Sequence, residues 1–406
     1  MSRVSPEHLA PPEAAGGAAV RPGFRPRRVF GIAGAHFVHD AFSAFLPPLL
    51  PLLIDKLSLS LALGGSLTLY QRLPMVLAPW LGALADRRDL RWFVITGPGL
   101  TALAMSLMGL APHYAMLALL LLVAGISSAI FHTPAPVMIV RASGRDLGRG
   151  LSIYQLGGEL ARTLGPLAAV GAVSLWGLEG IWRLMPLGLA SSFVLWHRFR
   201  RLPVERRPAR RLPFAETWCD LRATLGGLAA VMLARSLLLG ALAAFLPLYV
   251  QRQGGSLWLA GAVYSLYQLS GAGGALVVGT LSDRLGRRRV LAAALLVSPL
   301  VMVLFLFSHG WVLAPALILL GFTSLSTTPV MIALIQERRP AHPSTAQGLF
   351  TAVSFSVNAV MALVVGALAD RMGLRGAFLL SAILALLALP ALLLLPGSPD
   401  RTGSAP

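Results

Sequence analysis

Gly82-Ala83-Leu84-Ala85-Asp86-Arg87-Arg88-Asp89-Leu90-Arg91 is the stretch whose reading decides the fold. It returns as Gly279-Thr280-Leu281-Ser282-Asp283-Arg284-Leu285-Gly286-Arg287-Arg288 and again as Gly366-Ala367-Leu368-Ala369-Asp370-Arg371-Met372-Gly373-Leu374-Arg375. Each copy follows one long apolar run and precedes another, the pattern of a tight turn between two membrane helices. Small residues let the helices meet closely, Asp can cap the next helix, and the Arg cluster stays in water at the membrane surface. Three copies at matching points of a hydropathic repeat imply internal symmetry.

Composition agrees. Of 406 residues, 56% are hydrophobic and 12% charged, with a mean hydropathy of +0.73. A soluble chain of this length has no interior large enough for that much apolar surface, so lipid is its main solvent and the partner is the bilayer. The formal charge of +18 comes from Arg in short connections rather than from one polar face, which excludes a nucleic-acid partner. The single cysteine, Cys219, falls in a polar connection and supports neither a disulfide framework nor a Cys-rich metal site. Residues 1–28 are Pro, Gly and Ala rich and read as a disordered cytoplasmic tail without a cleavable signal.

About twelve apolar runs are long enough to span. Residues 29–199 read as an N-terminal six-helix bundle, 200–222 as a basic cytoplasmic linker, 223–396 as a C-terminal six-helix bundle and 397–406 as a cytoplasmic tail. Arg occupies every second connection, which predicts a multi-pass protein of a prokaryotic cytoplasmic (inner) membrane with both termini cytoplasmic. The halves align: Phe45-Leu46-Pro47 with Phe245-Leu246-Pro247, Tyr70-Gln71 with Tyr267-Gln268, and Pro136-Val137-Met138-Ile139 with Pro329-Val330-Met331-Ile332. A weaker three-helix period lies within each half.

This nested repeat and the recurring G-x-L-x-D-R-x-x-x-R resemble the major facilitator superfamily over essentially the whole chain. The resemblance implies an all-α membrane fold of twelve helices in two pseudo-symmetric bundles. It also implies a conformational latch formed by Gly82, Asp86 and Arg87 and by Gly279, Asp283 and Arg284, although Asp89 stands where the family usually has Gly. A cap with topology-setting charge is the simpler role for the same residues.

Ionisable groups are costly inside a membrane, so their positions mark where water or substrate must reach. Helix one carries His36, His39 and Asp40; helix two Arg72; helix four His132; helix five Glu159 and Arg162; helix seven Arg235. Asp40, Arg72, Glu159 and Arg235 lie roughly 14 to 18 Å from a helix end, near the bilayer centre. Asp40 reads as the proton carrier, with His36 one turn earlier and His39 adjacent as relays, and with Glu159 as a second coupling group. The alternative is a permanent Asp40–Arg72 ion pair joining helices one and two. Glu159 and Arg162 either pair locally or couple, and His132 either packs helices or contacts substrate. Arg235 either partners a carboxylate across the halves or anchors an anionic substrate. Tyr70, Gln71, Gln155, Tyr267 and Gln268 are neutral groups suited to orienting a polar substrate. Two carboxylates against three Arg favour an anionic or zwitterionic substrate.

Ser127-Ser128-Ala129-Ile130-Phe131-His132-Thr133-Pro134, Ser152-Ile153-Tyr154-Gln155-Leu156-Gly157-Gly158-Glu159 and Leu164-Gly165-Pro166 resemble the fosmidomycin resistance protein branch of the superfamily, as do His36 and Asp40. That resemblance implies proton-driven efflux of a small organic compound, such as a phosphonate-like anion. Uptake of an organic anion by proton symport, or a non-transporting receptor on the same scaffold, are the alternatives. No nucleophile–base constellation, metal-ligand spacing or phosphate-binding loop points to an enzyme, a metal or a cofactor, so the expected energy source is the proton gradient and the expected assembly a monomer.

Overall fold

The computed structural model describes residues 23–87, 90–201, 214–338 and 343–395. Among them there is no strand, as a bilayer demands: a helix satisfies its own backbone where no water is available. Helix α1 is Pro26–Leu57, stepping at Ala44. Helix α2 takes in Leu61–Arg72, the tight turn Leu73–Leu77 and Ala78–Arg87. Then come α3 (Arg91–Leu110), α4 (Tyr114–Ser143, stepping at Thr133), α5 (Leu147–Trp176) and α6 (Glu179–Phe199). The second bundle has α7 (Phe214–Arg252), α8 (Leu257–Leu285), α9 (Arg287–Phe307) and α10 (Gly310–Gln336, stepping at Ser326).

The last apolar stretch, Thr345–Leu394, is 50 residues long. As one helix it would extend roughly 75 Å, far beyond a hydrocarbon core of about 30 Å. Gly373 breaks it with a φ of 75°, a backbone state that a side chain disfavours, and so divides α11 (343–372) from α12 (374–394). The twelve expected runs are thus twelve rods among the described residues. The amino-terminal tail was expected to reach Arg28, yet α1 begins at Pro26, whose fixed φ suits a helix start. The linker was expected to reach residue 222, yet α7 begins at Phe214 and places Cys219 on an exposed helical face rather than in a connection. The remainder of both predicted tails, residues 202–213 of the linker, and Arg88 and Asp89 lie outside the described residues.

Seven helical stretches among the described residues are long and apolar enough to cross a membrane singly; α2 and α8 fall short, and α5 and α6 pass only as a pair bent by 117°. The physical reason is where these rods face. Helices α2, α5 and α8 carry Arg72, Glu159, Arg162 and Gln268, and each packs across to the other bundle: α2 on α11, and α5 on α8.

Small residues set these crossings. A Cβ on Gly65 would collide with the carbonyl oxygen of Ala362, and one on Gly366 with that of Leu61. Rods α2 and α11 therefore run antiparallel and touch backbone to backbone at two points. The closest of these approaches, at Gly65 and Gly366, sit at the ends remote from the amino terminus, while α11 also contacts the Leu73–Leu77 turn and the Ala78–Arg87 segment of α2. At the opposite ends a Cβ added to Gly148, Gly279 or Gly348 would meet nothing within 4 Å.

Candidate functional site

The chemistry-bearing residues gather at helix breaks, and each break has a proline. Asp40 precedes the step at Ala44, followed by Pro47 and Pro48; Arg72 precedes Pro74; His132 precedes Pro134; Thr327 and Thr328 precede Pro329. Proline withholds a backbone donor and clashes with the preceding turn, so the helix shifts and frees polar groups that polar side chains can use.

In the first bundle Asp40 is 7% exposed and lies between two imidazoles. His36 Nε2 is 3.3 Å from Asp40 Oδ2, and His132 Nε2 is 3.1 Å from Asp40 Oδ1, within ion-pair distance though not in hydrogen-bond alignment. His36 stacks on Tyr154 with ring centroids 4.0 Å apart, and its Nδ1 is 2.8 Å from the Tyr154 backbone carbonyl. A carbonyl only accepts, so Nδ1 carries a hydrogen and Nε2 is the atom that faces the carboxylate. Gly158 makes this possible: a Cβ there would stand 2.5 Å from His36 Cε1. His39, fully buried, bonds through Nδ1 to Thr101 Oγ1 at 2.8 Å, and Thr101 donates to Ser127, which donates to the Gly97 carbonyl. The donor atoms of His36, Asp40 and His132 lie within 4.8 Å of one another, a spacing that a shared proton or a divalent cation satisfies equally.

The expected alternative, a permanent Asp40–Arg72 ion pair, is not what forms. Asp40 is held by histidines, while Arg72 has no carboxylate partner among the described residues; its charged or phenolic neighbours are Tyr264, Tyr267 and Arg162. The polar groups of α5 fall on two different faces of that helix. At 100° per residue, Ser152, Gln155, Glu159 and Arg162 form one stripe of α5, and Glu159 pairs with Arg162 there, more than a third exposed. Tyr154 and Gly158 lie on a separate, buried face that packs on the Asp40 cluster. His132, expected to pack helices or touch substrate, instead points at Asp40 while remaining half-buried.

In the second bundle Arg235 is 5% exposed. It donates through Nη1 to Thr327 Oγ1 at 2.5 Å and to the Ser324 carbonyl at 3.4 Å, and through Nη2 to Thr328 Oγ1 at 3.2 Å. No carboxylate faces it among the described residues. Tyr267, fully buried, bonds Ser324 Oγ at 3.1 Å and has Arg235 and Arg72 among its charged neighbours. Of the other neutral candidates, Gln71 bridges helices by donating to the Ser43 carbonyl at 2.9 Å, and Tyr70 meets Tyr114 edge-on. Gln155 is exposed on the α5 stripe and Gln268 is half-buried.

The motif copies diverge. The side chains of Gly82, Asp86 and Arg87 lie outside the described residues. Asp283 pairs with Arg287 on the next helix, and Arg287 also reaches Glu337 at 3.1 Å; Gly279 and Arg284 are open to the surroundings. Asp370 does not cap the helix that follows it. It accepts from the N–H groups of Leu61 and Ala62, at the amino terminus of α2 in the other bundle. Sequence reasoning missed this pairing, as it missed Thr101, Ser127, Tyr154, Tyr264, Thr327 and Thr328. The one available signal was a polar residue one or two positions before a mid-run proline.

A sequence model of the Major Facilitator Superfamily matches residues 32–357 and 260–406. The chain is 27% identical over 371 residues to an uncharacterised transporter of that type, YfnC of Bacillus subtilis (strain 168), covering 88% of this chain and 90% of the relative. It is 26% identical over 373 residues to the fosmidomycin resistance protein of Escherichia coli (strain K12), covering 89% and 92%. Among solved structures, a bacterial homologue of the human lysosomal transporter Spinster, in an inward-facing and unoccupied conformation, superposes with a TM-score of 0.76 at 15% identity, over 91% of this chain and 97% of that one.

Proposed function

This chain belongs to the Major Facilitator Superfamily and is a membrane transporter rather than an enzyme, and from that premise we propose that it exports a small anionic organic compound in exchange for protons, by alternating access. The observation that carries the reading is the flanking of Asp40 by His36 and His132. With Nδ1 of His36 committed to the Tyr154 carbonyl, a neutral imidazole would aim its lone pair at a carboxylate, and the contact is attractive only when a proton sits on one partner. In this reading a proton shared within the cluster holds it together, and its departure lets the groups separate. His132, half-buried, is the route to the cavity, and the steps at Ala44 and Thr133 let α1 and α4 respond. His39, bonded to Thr101, and Tyr154 complete the surrounding groups.

Arg72 has Tyr264, Tyr267 and Arg162 as neighbours and Arg235 has Tyr267, and of these three arginines only Arg162 has a carboxylate partner among the described residues. Two uncompensated guanidinium groups support an anionic cargo. The name of the fosmidomycin resistance protein supports efflux of a phosphonate-like compound. The Arg distribution supports a cytoplasmic-membrane protein with both termini in the cytoplasm, and in this reading the chain acts as a monomer driven by the proton gradient, without a cofactor.

Proteoliposomes holding a pH-sensitive dye test this. Fosmidomycin should move against an imposed proton gradient with protons travelling the opposite way, and Asp40→Asn should abolish the coupling. Gradient-driven transport retained by Asp40→Asn refutes the assignment, while protons and fosmidomycin moving the same way would identify uptake by symport.

A further inference from the structure

His36 and Asp40 are four residues apart on α1, so both side chains leave the same helical face. By itself that pair is an ordinary intrahelical contact. The fold adds a third group: α4 steps at Thr133, and His132, which closes its first segment, brings Nε2 to 3.1 Å from Asp40 Oδ1. With His36 Nε2 at 3.3 Å from Asp40 Oδ2, two imidazole nitrogens and one carboxylate converge from two helices.

How they converge points to a ligand. Asp40 Oδ1 has no hydrogen-bond partner, although its side chain is only 9% exposed and an imidazole nitrogen lies close by. Groups that are near but misaligned aim at a point between them rather than at one another. Ligand atoms about 2.0 to 2.2 Å from a tetrahedral metal ion stand roughly 3.3 Å apart along each edge, and the two separations of 3.1 and 3.3 Å match. All three donor atoms lie within 4.8 Å of one another, so a small turn of the His132 ring closes the third edge. An outer shell is already in place: the Nδ1–H of His36 donates to the Tyr154 carbonyl, which leaves Nε2 as the ligating atom, and Gly158 admits the ring. His39, committed to Thr101 through Nδ1, is outside the set. Two nitrogens with one carboxylate suit zinc, cobalt or nickel, whereas magnesium and calcium require shells of oxygen. Three protein ligands leave the fourth tetrahedral position to water, the pattern of an exchangeable site, and the side chain of His132, 26% exposed, is its open edge.

We propose that His36, Asp40 and His132 bind one divalent transition-metal ion of the zinc class, which ties α1 to α4. This goes beyond the export reading. The ion takes the place of the shared proton, so free metal of this class acts as an inhibitor of coupling, but its binding is measured without gradient or cargo.

Purified full-length protein carrying Cys219→Ser and no affinity tag is titrated with cobalt(II) as the spectroscopic probe and zinc(II) as competitor. One cobalt(II) per chain should give the strong visible absorption of a four-coordinate ion; zinc(II) should abolish it and magnesium should not. His132→Gln should weaken binding by at least the roughly 10- to 100-fold that follows loss of an outer-shell partner. His132→Cys should restore it and add a thiolate-to-metal charge-transfer band, which arises only if position 132 touches the ion and so separates ligation from folding. Replacing His8, His113, His197, His309 and His342 by Gln should leave the signal unchanged. Weakly absorbing six-coordinate cobalt(II), undiminished binding by His132→Gln, or a signal lost with the outer histidines overturns the proposal even if proton exchange is found. Failure of the export reading, through coupled transport retained by Asp40→Asn, leaves the cobalt(II) result standing.

Discussion

Asp370 and Leu61 are 309 residues apart, yet the carboxylate of Asp370 accepts from the Leu61 N–H at 2.7 Å and from the neighbouring Ala62 N–H at 2.8 Å. The first turn of α2 has donors without intrahelical partners and a partial positive charge, and an acid from the other bundle satisfies both. This joins the bundles at the face remote from the amino terminus. Caps of this kind contribute about 0.5 to 2 kcal/mol, so Asp370→Ala should shift the closed-to-open equilibrium of that face by roughly 2- to 30-fold. Spin labels at Pro112 and Gln253, in a Cys219→Ser background, should report a larger long-distance population in the variant. An unchanged distance distribution would show that the cap does not hold the face.

His36 and His132 should respond differently to replacement. His36→Gln removes the ring stacked on Tyr154 and the second donor to the Tyr154 carbonyl, and should cost about 1 to 3 kcal/mol in thermal unfolding. His132→Gln, at a half-buried position, should leave stability within about 1 kcal/mol while lowering the rate of proton exchange. Equal destabilisation by both would assign them the same structural role.

Gly158→Ala tests the cluster without touching a titratable group. The added methyl would stand 2.5 Å from His36 Cε1, so the ring must leave the Tyr154 carbonyl or α5 must move away from α1. Overpacking of this size costs about 1 to 3 kcal/mol. Thermal unfolding should register that loss and proton coupling should fall with it; a wild-type response in both would show that the ring position is not constrained.

Glu159→Gln should be mild for the fold and marked for the substrate. Both partners of the Glu159–Arg162 pair are more than a third exposed, so its loss should change stability by less than about 1 kcal/mol. Releasing Arg162 beside Arg72 adds uncompensated positive charge to the exposed stripe. KM for an anionic substrate should fall while the proton count per turnover stays the same; a lost proton would move the coupling role from Asp40 to Glu159.

Hydropathy makes the rods legible because lipid tests every residue of a span for the same property. The neighbours of a side chain are another matter, since they depend on how each rod is rotated and where it steps, which packing decides. Asp40 and His36, one turn apart on one helix, could be read together from spacing alone. The turn of His132 toward Asp40, and of Arg72 away from it toward Tyr264 and Tyr267, could not, because three separate helices must be placed first. Asp370 shows the same limit: a cap from the preceding turn is local and readable, whereas a cap supplied from another bundle is not.

The paired glycines of α2 and α11 bear on how such a molecule can move at all. Where Gly65 meets Ala362 and Gly366 meets Leu61, peptide planes lie against one another with no interlocking side chains. Two smooth surfaces of this kind can roll without first being unmeshed, so the junction acts as a fulcrum, and a single methyl at Gly65 would be a wedge that jams the rocking while leaving both sites intact.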